Sequence, residues 1–397
     1  MSDSKHSAPA VWTQVVAGAL LMLATLPGRS YGLGLVTEPL LKDLQLSRDS
    51  FAQINLWATL GGALVCLPVG AWLDRCGLKT GALVLLPSLA IVVLVMSAMH
   101  VAVLGLFILV LLTRAFGQGA MSVLSLAVAG RAFKHNSGAA AGSYAVLMSV
   151  LFMIAFVIVG GVVHDSGWRI AWRDIGIGLL VLLPVTLWLR NASAEKQTEA
   201  GTDADLTLAQ CLRIPAFWAY SAGISAFAAI STATGLFNQA LLEERGFDQK
   251  MAYHFLAGSA IIALLGQMIC GAGLRWRPIR FWLGGALFVQ AAALASYKFI
   301  HTSAGMWTLA ALMGLSGGII TVAFFAIWGD SFGKRHLGRI QGVAQMCTVL
   351  ASALGPLLLE RGAVFLHSYA NTLMIAAPIC VLLGLLVLTL RPRPSAP

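Results

Sequence analysis

Twelve runs of about 20 predominantly apolar residues, each stopped by charges or turn formers, dominate this 397-residue chain. They lie at approximately 12–36, 51–72, 80–99, 103–127, 138–163, 173–189, 216–241, 251–273, 280–299, 304–328, 339–359 and 369–390. A helix of that length, rising 1.5 Å per residue, matches a hydrocarbon layer about 30 Å thick. Inside such a layer each segment has to bond its own backbone N–H and C=O groups. The expected fold is therefore an all-α membrane protein of twelve transmembrane helices. Composition excludes the soluble alternative: 58% of residues are hydrophobic and 11% charged, against roughly 45–50% and about 25% in soluble domains.

The charges fix an orientation. Sixteen Lys/Arg residues lie on the side that holds both termini and eight lie on the other. The positive-inside rule then places the termini in the cytoplasm and the protein in the cytoplasmic (inner) membrane. The net charge of +10 is accounted for by this bias, so no nucleic-acid partner is implied. Met1–Ala10 is polar, and no small-residue cleavage site follows the first span, which is expected to stay in the mature protein. The six cysteines fall in spans or on the cytoplasmic side and form no CxxC pair, which gives neither a disulfide framework nor a metal site.

The longest polar stretch follows the sixth span and reads as a hydrated cytoplasmic linker at 191–212. It separates an N-terminal six-helix half, 1–190, from a C-terminal half, 213–397. Sliding the halves by 201 residues lays Gly34-Leu35-Val36-Thr37-Glu38-Pro39-Leu40-Leu41 over Gly235-Leu236-Phe237-Asn238-Gln239-Ala240-Leu241-Leu242. The same shift puts Gly70 on Gly271 and Lys79 on Arg280, and a shift of 200 brings Gly138 and Gly142 onto Gly338 and Gly342. Near-constant offsets over such a distance argue for a duplicated six-helix unit. Parallel repeats of this kind place a substrate site between the halves near the bilayer midplane.

Gly70-Ala71-Trp72-Leu73-Asp74-Arg75-Cys76-Gly77-Leu78-Lys79, between spans 2 and 3, resembles the GxxxD(R/K)xGxx(R/K) signature of the major facilitator superfamily. Arg114-Ala115-Phe116-Gly117-Gln118-Gly119 resembles its span 4 motif, and Gly167-Trp168-Arg169 precedes span 6 as in many members. Leu212–Trp218 and Phe332–Gly338 look like the oxalate–formate and monocarboxylate transporter branch, although Pro27-Gly28-Arg29-Ser30-Tyr31-Gly32 stands where that branch has its span 1 signature. The Gly-Pro motif of drug antiporters is absent from span 5, where Gly160-Gly161 has no proline. The superfamily resemblance implies that Gly70, Asp74, Arg75, Gly77 and Lys79 form a cytoplasmic gate, with Arg131 a candidate partner for Asp74. Solvated positive-inside charge is the blander reading of the same residues. The second copy carries Arg275 at the Asp74 position, so the two gates are not equivalent.

In that fold the first, second, fourth and fifth spans of each half line or gate the solute path. Arg29, Asn55, Arg114, Gln118, Asn238, Gln267 and Gln345 all fall on such spans and are the candidate substrate-binding residues. The outer spans offer only Gln290 and Asn371. An arginine in the hydrocarbon region costs at least ~2.5–3.5 kcal/mol, so Arg29 and Arg114 require compensation. For Arg29 the alternatives are an anion-binding role and a structural one, clamping carbonyls freed by Pro27. Glu38 and Asp330 sit near membrane interfaces and are candidates for ion coupling or, equally, for plain solvation. Trp328 either walls the path or packs.

Two deep arginines without a deep acid point to a small anionic solute, an organic mono- or dicarboxylate, carried by a secondary transporter working by alternating access. The partners expected are that solute, the lipid bilayer and a co-transported proton or counter-anion, with the chain itself a monomer. An efflux pump for amphipathic compounds is the alternative within transport, and a membrane-embedded receptor or sensor the alternative outside it. Scattered histidines and the absence of HExxH, Walker A or paired intramembrane carboxylates speak against an enzyme, and no cofactor is implied.

Overall fold

The computed structural model describes residues 8–46, 48–99, 103–132, 137–189, 206–247, 249–333 and 335–392. Most of the expected linker and the side chains of Tyr31, Glu38 and Arg131 lie outside the described residues. Every regular element described is helical: α1 (Ala8–Leu23), α2 (Ser30–Asp43), α3 (Arg48–Leu64), α4 (Cys66–Cys76), α5 (Leu78–Ala98), α6 (Val103–Thr113), α7 (Ser122–Ala132), α8 (Ser137–Ser166), α9 (Trp168–Val181), α10 (Leu208–Leu212), α11 (Pro215–Leu236), α12 (Asn238–Glu243), α13 (Gln249–Gly273), α14 (Ile279–Ser296), α15 (Ser303–Phe332), α16 (Leu337–Leu366) and α17 (Tyr369–Thr389).

Among the described residues, ten helical stretches are long and apolar enough to cross a bilayer, and they correspond to expected spans 2–6 and 8–12. The first and seventh expected spans are different. α1 stops at Leu23, and a short 3-10 turn covers Leu26–Gly28. Arg29 is extended at φ −91°, ψ 151°, and α2 then begins at Ser30. Pro27 supplies no N–H for a continuous helix, so the helix restarts rather than bends. The seventh span breaks at Phe237, between α11 and α12. Its α11 carries Tyr220, Ser221, Ser225, Ser231, Thr232 and Thr234, which lower its hydropathy.

α5 shows how these helices pack. Gly81, Ala82, Leu85, Leu86, Leu89, Ala90, Val93 and Met96 follow helical spacing and are buried, largely against α9. The opposite face exposes Val84 at 47% and Ile91 at 60%. A continuous exposed apolar face is a liability in water but matches lipid chains. α14 and α17 pair similarly in the second half of the chain.

The chain forms two compact units. Unit 1 comprises residues 1–134, 147–205 and 333–346, and unit 2 comprises 135–146, 206–332 and 347–397. Each unit carries the same clamp at its expected outer ends. In unit 1, Asp43 at the end of α2 accepts hydrogen bonds from Trp168 Nε1 and Arg169 Nε, both at 3.1 Å, while Arg169 also donates to the Ser97 carbonyl at 3.1 Å. In unit 2, Glu244 accepts from Ser368 Oγ and from the Tyr369 amide at 2.8 Å, while Arg245 reaches the Lys298 carbonyl at 3.1 Å. Glu244, Lys298 and Tyr369 stand 201 residues after Asp43, Ser97 and Trp168. The arginine has changed place: it follows Trp168 in the first turn of α9 in one copy and follows the carboxylate in the other.

Partial burial pushes Glu244 up, but hydrogen bonds from Ser368, Arg245 and Tyr369, with the Arg245 charge, outweigh that and hold its carboxyl below the ordinary 4.5. A depressed carboxyl stabilises the fold above its unfolded value, and that stabilisation is lost as pH falls through the folded value. Melting of the purified protein should therefore weaken as the pH falls from about 5 to below 4. Glu244→Gln should lower the melting temperature at pH 7 and flatten that dependence. An unchanged pH profile in the variant would remove Glu244 from the clamp.

Candidate functional site

The break in the first span lies directly on an irregular turn of the fourth. Between α6 and α7 the chain adopts a π-helical turn over Arg114–Met121, a geometry found mostly at functional positions. A Cβ on Gly28 would stand 2.5 Å from the Thr113 carbonyl and 2.7 Å from the Gly117 Cα. Glycine at both 28 and 117 thus lets two irregular backbones touch, and the contact places the two deep arginines side by side in unit 1.

Arg114 is 2% exposed. Its Nη1 donates to the Gly28 carbonyl at 2.8 Å, to Gln118 Oε1 at 2.9 Å and to Ser30 Oγ at 3.3 Å, and its Nη2 donates to Asn55 Oδ1. Only Nε is left without an acceptor. All four partners are neutral, so among the described residues the positive charge is held by dipoles alone. Arg29 is half-buried beside it. Its Nε donates to Thr25 Oγ1 at 2.6 Å, and its Nη2 lies 2.9 Å from Met22 Sδ and 3.3 Å from Ser122 Oγ. The guanidinium carbon sits 5.5 Å from the Phe152 ring centre. A thioether is a weak acceptor, and an incoming anion can displace it with little loss.

At the break in the first span it is Arg114 that takes the Gly28 carbonyl. Of the candidate binding residues, unit 1 brings together Arg29, Asn55, Arg114 and Gln118. Gln345, 5% exposed at the start of α16, reaches the Gln118 carbonyl at 3.4 Å. Asn238 and Gln267 are buried in unit 2, on α12 and α13. Asp330 is exposed near the end of α15, and the Glu38 side chain lies outside the described residues. Trp328 stacks on Phe332 and packs on Phe217, so it belongs to the packing of unit 2.

The gate motif has a clear local logic. Gly77 joins α4 to α5 at φ +84°, a conformation that any side chain would strain. Asp74, whose side chain is 5% exposed, accepts from the amides of Gly338 and Arg339 at 3.2 and 3.0 Å, and Arg339 Nε lies 3.9 Å away. It thus caps the amino end of α16, where free N–H groups and the helix dipole favour a negative charge. Arg75 is exposed and Lys79 half-buried, and Arg131, the expected partner of Asp74, lies outside the described side chains. Thr25, Ser30, Ser122 and Met22 join the arginine cluster without having been marked by the sequence. Their only signal was spacing: Thr25 and Met22 stand four and seven residues before Arg29, Ser30 is next to it, and Ser122 stands four residues after Gln118.

Residues 18–356 match the family model of the Major Facilitator Superfamily. No curated protein sequence matches. Among solved structures, a variant of the E. coli fucose:proton symporter FucP aligns with a TM-score of 0.72 at 12% identity, over 95% of this chain and 98% of that one. FucP in the outward conformation aligns at 0.71 and 13% identity, over 94% and 97%. At such identity these are likenesses of fold. The family match covers most of the sequence, and with the helical architecture it makes this chain an integral membrane transporter of the Major Facilitator Superfamily.

Proposed function

We propose that the protein is a secondary active transporter of a small anionic solute, an organic mono- or dicarboxylate, bound at Arg29 and the neighbouring polar groups of unit 1. The observation that carries this reading is the fully buried Arg114 with only neutral partners, next to a second, half-buried arginine. Two cations in a low-dielectric region repel a cationic substrate and attract a carboxylate. The carboxylates with described side chains lie towards helix ends, apart from the exposed Asp174 of α9, which is paired with Arg173, and this suits the same sign of solute. A proton or counter-anion would balance the charge moved, with Glu38 and Asp330 the candidate proton carriers; the structurally similar FucP is a proton symporter. The Lys/Arg bias supports cytoplasmic termini in an inner membrane.

Arg29→Lys keeps the charge but loses the planar fork. Carboxylate affinity should fall by about ten- to a hundredfold, as expected for ~1.5–3 kcal/mol of charge-assisted bonding, and Arg29→Gln should fall further while still folding. Normal affinity in a well-folded Arg29→Gln protein would take Arg29 out of the site. Asp74→Asn weakens the cap on α16 through a coupling of ~1–3 kcal/mol. It should slow the transport rate while leaving affinity within a few-fold, and loss of binding in intact protein would contradict the gate. A cysteine introduced at Ser193 should resist membrane-impermeant reagents in intact cells; labelling from outside would reverse the topology.

A further inference from the structure

The amino-terminal turns of α16 are held in unit 1 by more than the Asp74 cap. Gly338, Gln341, Gly342 and Gln345 share one face of that helix. Gly342 lies against the Cys66 carbonyl and Gly70. Gln341 Nε2 donates to the Leu126 carbonyl at 3.2 Å and Gln345 Nε2 to the Gln118 carbonyl at 3.4 Å. Both glutamines are at least 95% buried, and burying an amide is costly unless it is bonded.

The sequence repeat supplies a control for what these glutamines do. In unit 2, Gly142 of α8 lies against the Gln267 carbonyl and Gly271, as Gly342 lies against Cys66 and Gly70. In that copy the positions of Gln341 and Gln345 are Ala141 and Ala145. The counterpart of the π-helical turn there lies inside α15, which is continuous α-helix. Close backbone packing therefore needs no glutamine. The glutamine bonds occur only in the copy that has the π turn.

Gln118 is the junction. Its side chain holds Arg114, and its carbonyl accepts from Gln345. We propose that Gln345 is a positioning residue that couples the seating of Arg114 to the hold on the amino end of α16. When Arg114 shifts, Gln118 shifts with it and its carbonyl moves relative to the Gln345 amide. The two turns between Gln345 and the Asp74 cap then loosen. This goes beyond the reading of the solute and holds whichever ion is carried.

Amide hydrogen exchange on the full-length protein in lipid nanodiscs, with no ligand, tests it as a double-mutant cycle. Asn55→Ser withdraws an acceptor from Arg114 and should speed exchange across Leu337–Gln345 at least fivefold. In the Gln345→Met background the same change should add less than twofold, because the link is already broken. Gln341→Met removes a bond outside the π turn and should leave the response to Asn55→Ser intact. Arg114→Lys serves as the perturbation if Asn55→Ser does not fold. A response of equal size with and without Gln345→Met, or no response in the single variant, would overturn the proposal.

Discussion

A buried guanidinium with no counter-ion among the described residues is the constraint around which unit 1 is organised. Arg114 survives at 2% exposure because four neutral oxygens converge on it from three separate places in the chain. Each place departs from regular helix or supplies a polar side chain within it. The first span is cut at Thr25–Arg29 so that the Gly28 carbonyl and Ser30 hydroxyl face inward. Asn55 is held on α3, and the fourth span opens a π turn that presents Gln118. Losing one acceptor would leave a buried donor unsatisfied, a cost of about 1–3 kcal/mol and more for a charged group. The irregular backbone is therefore part of the site's construction.

The repeated halves show which features the fold needs and which were added. Outer clamps occur in both units at matching positions, with a carboxylate at the end of one helix, an aromatic that opens a second and a carbonyl at the end of a third. Glycine contacts between helix backbones also occur in both. The deep arginines, the π turn, the glutamine bonds and the Asp74 cap occur in one unit, and Arg275 stands at the Asp74 position in the other, over the ring of Trp276 at 4.1 Å. Shared features serve folding. The unshared ones concentrate where the charge is.

Much of this was legible in the residues. Apolar runs and the 201-residue offset defined the helices and their duplication, because hydrophobic length and periodicity act locally. Arg29, Arg114, Gln118 and Asn55 stood out because polar groups in hydrocarbon are costly. What the residues did not show was which arginine takes the carbonyl at the span 1 break. That depends on the contact of Gly28 with Gly117, which are 89 positions apart. The cap by Asp74 on α16 was hidden for the same reason, since its partners are backbone amides and any sequence supplies those. The swapped arginine of the outer clamp escaped the repeat because charge was conserved in space and not in register.

A solute site built on Arg29 and Arg114, as proposed, selects a negative charge. The affinity of the purified wild-type protein for matched pairs of equal shape tests this: benzoate and benzamide, lactate and lactamide, succinate and succinamide. The carboxylate of at least one pair should bind tenfold or more tightly than its amide. Equal affinity within every pair, or binding confined to an uncharged sugar such as fucose or to lipophilic cations, would contradict it.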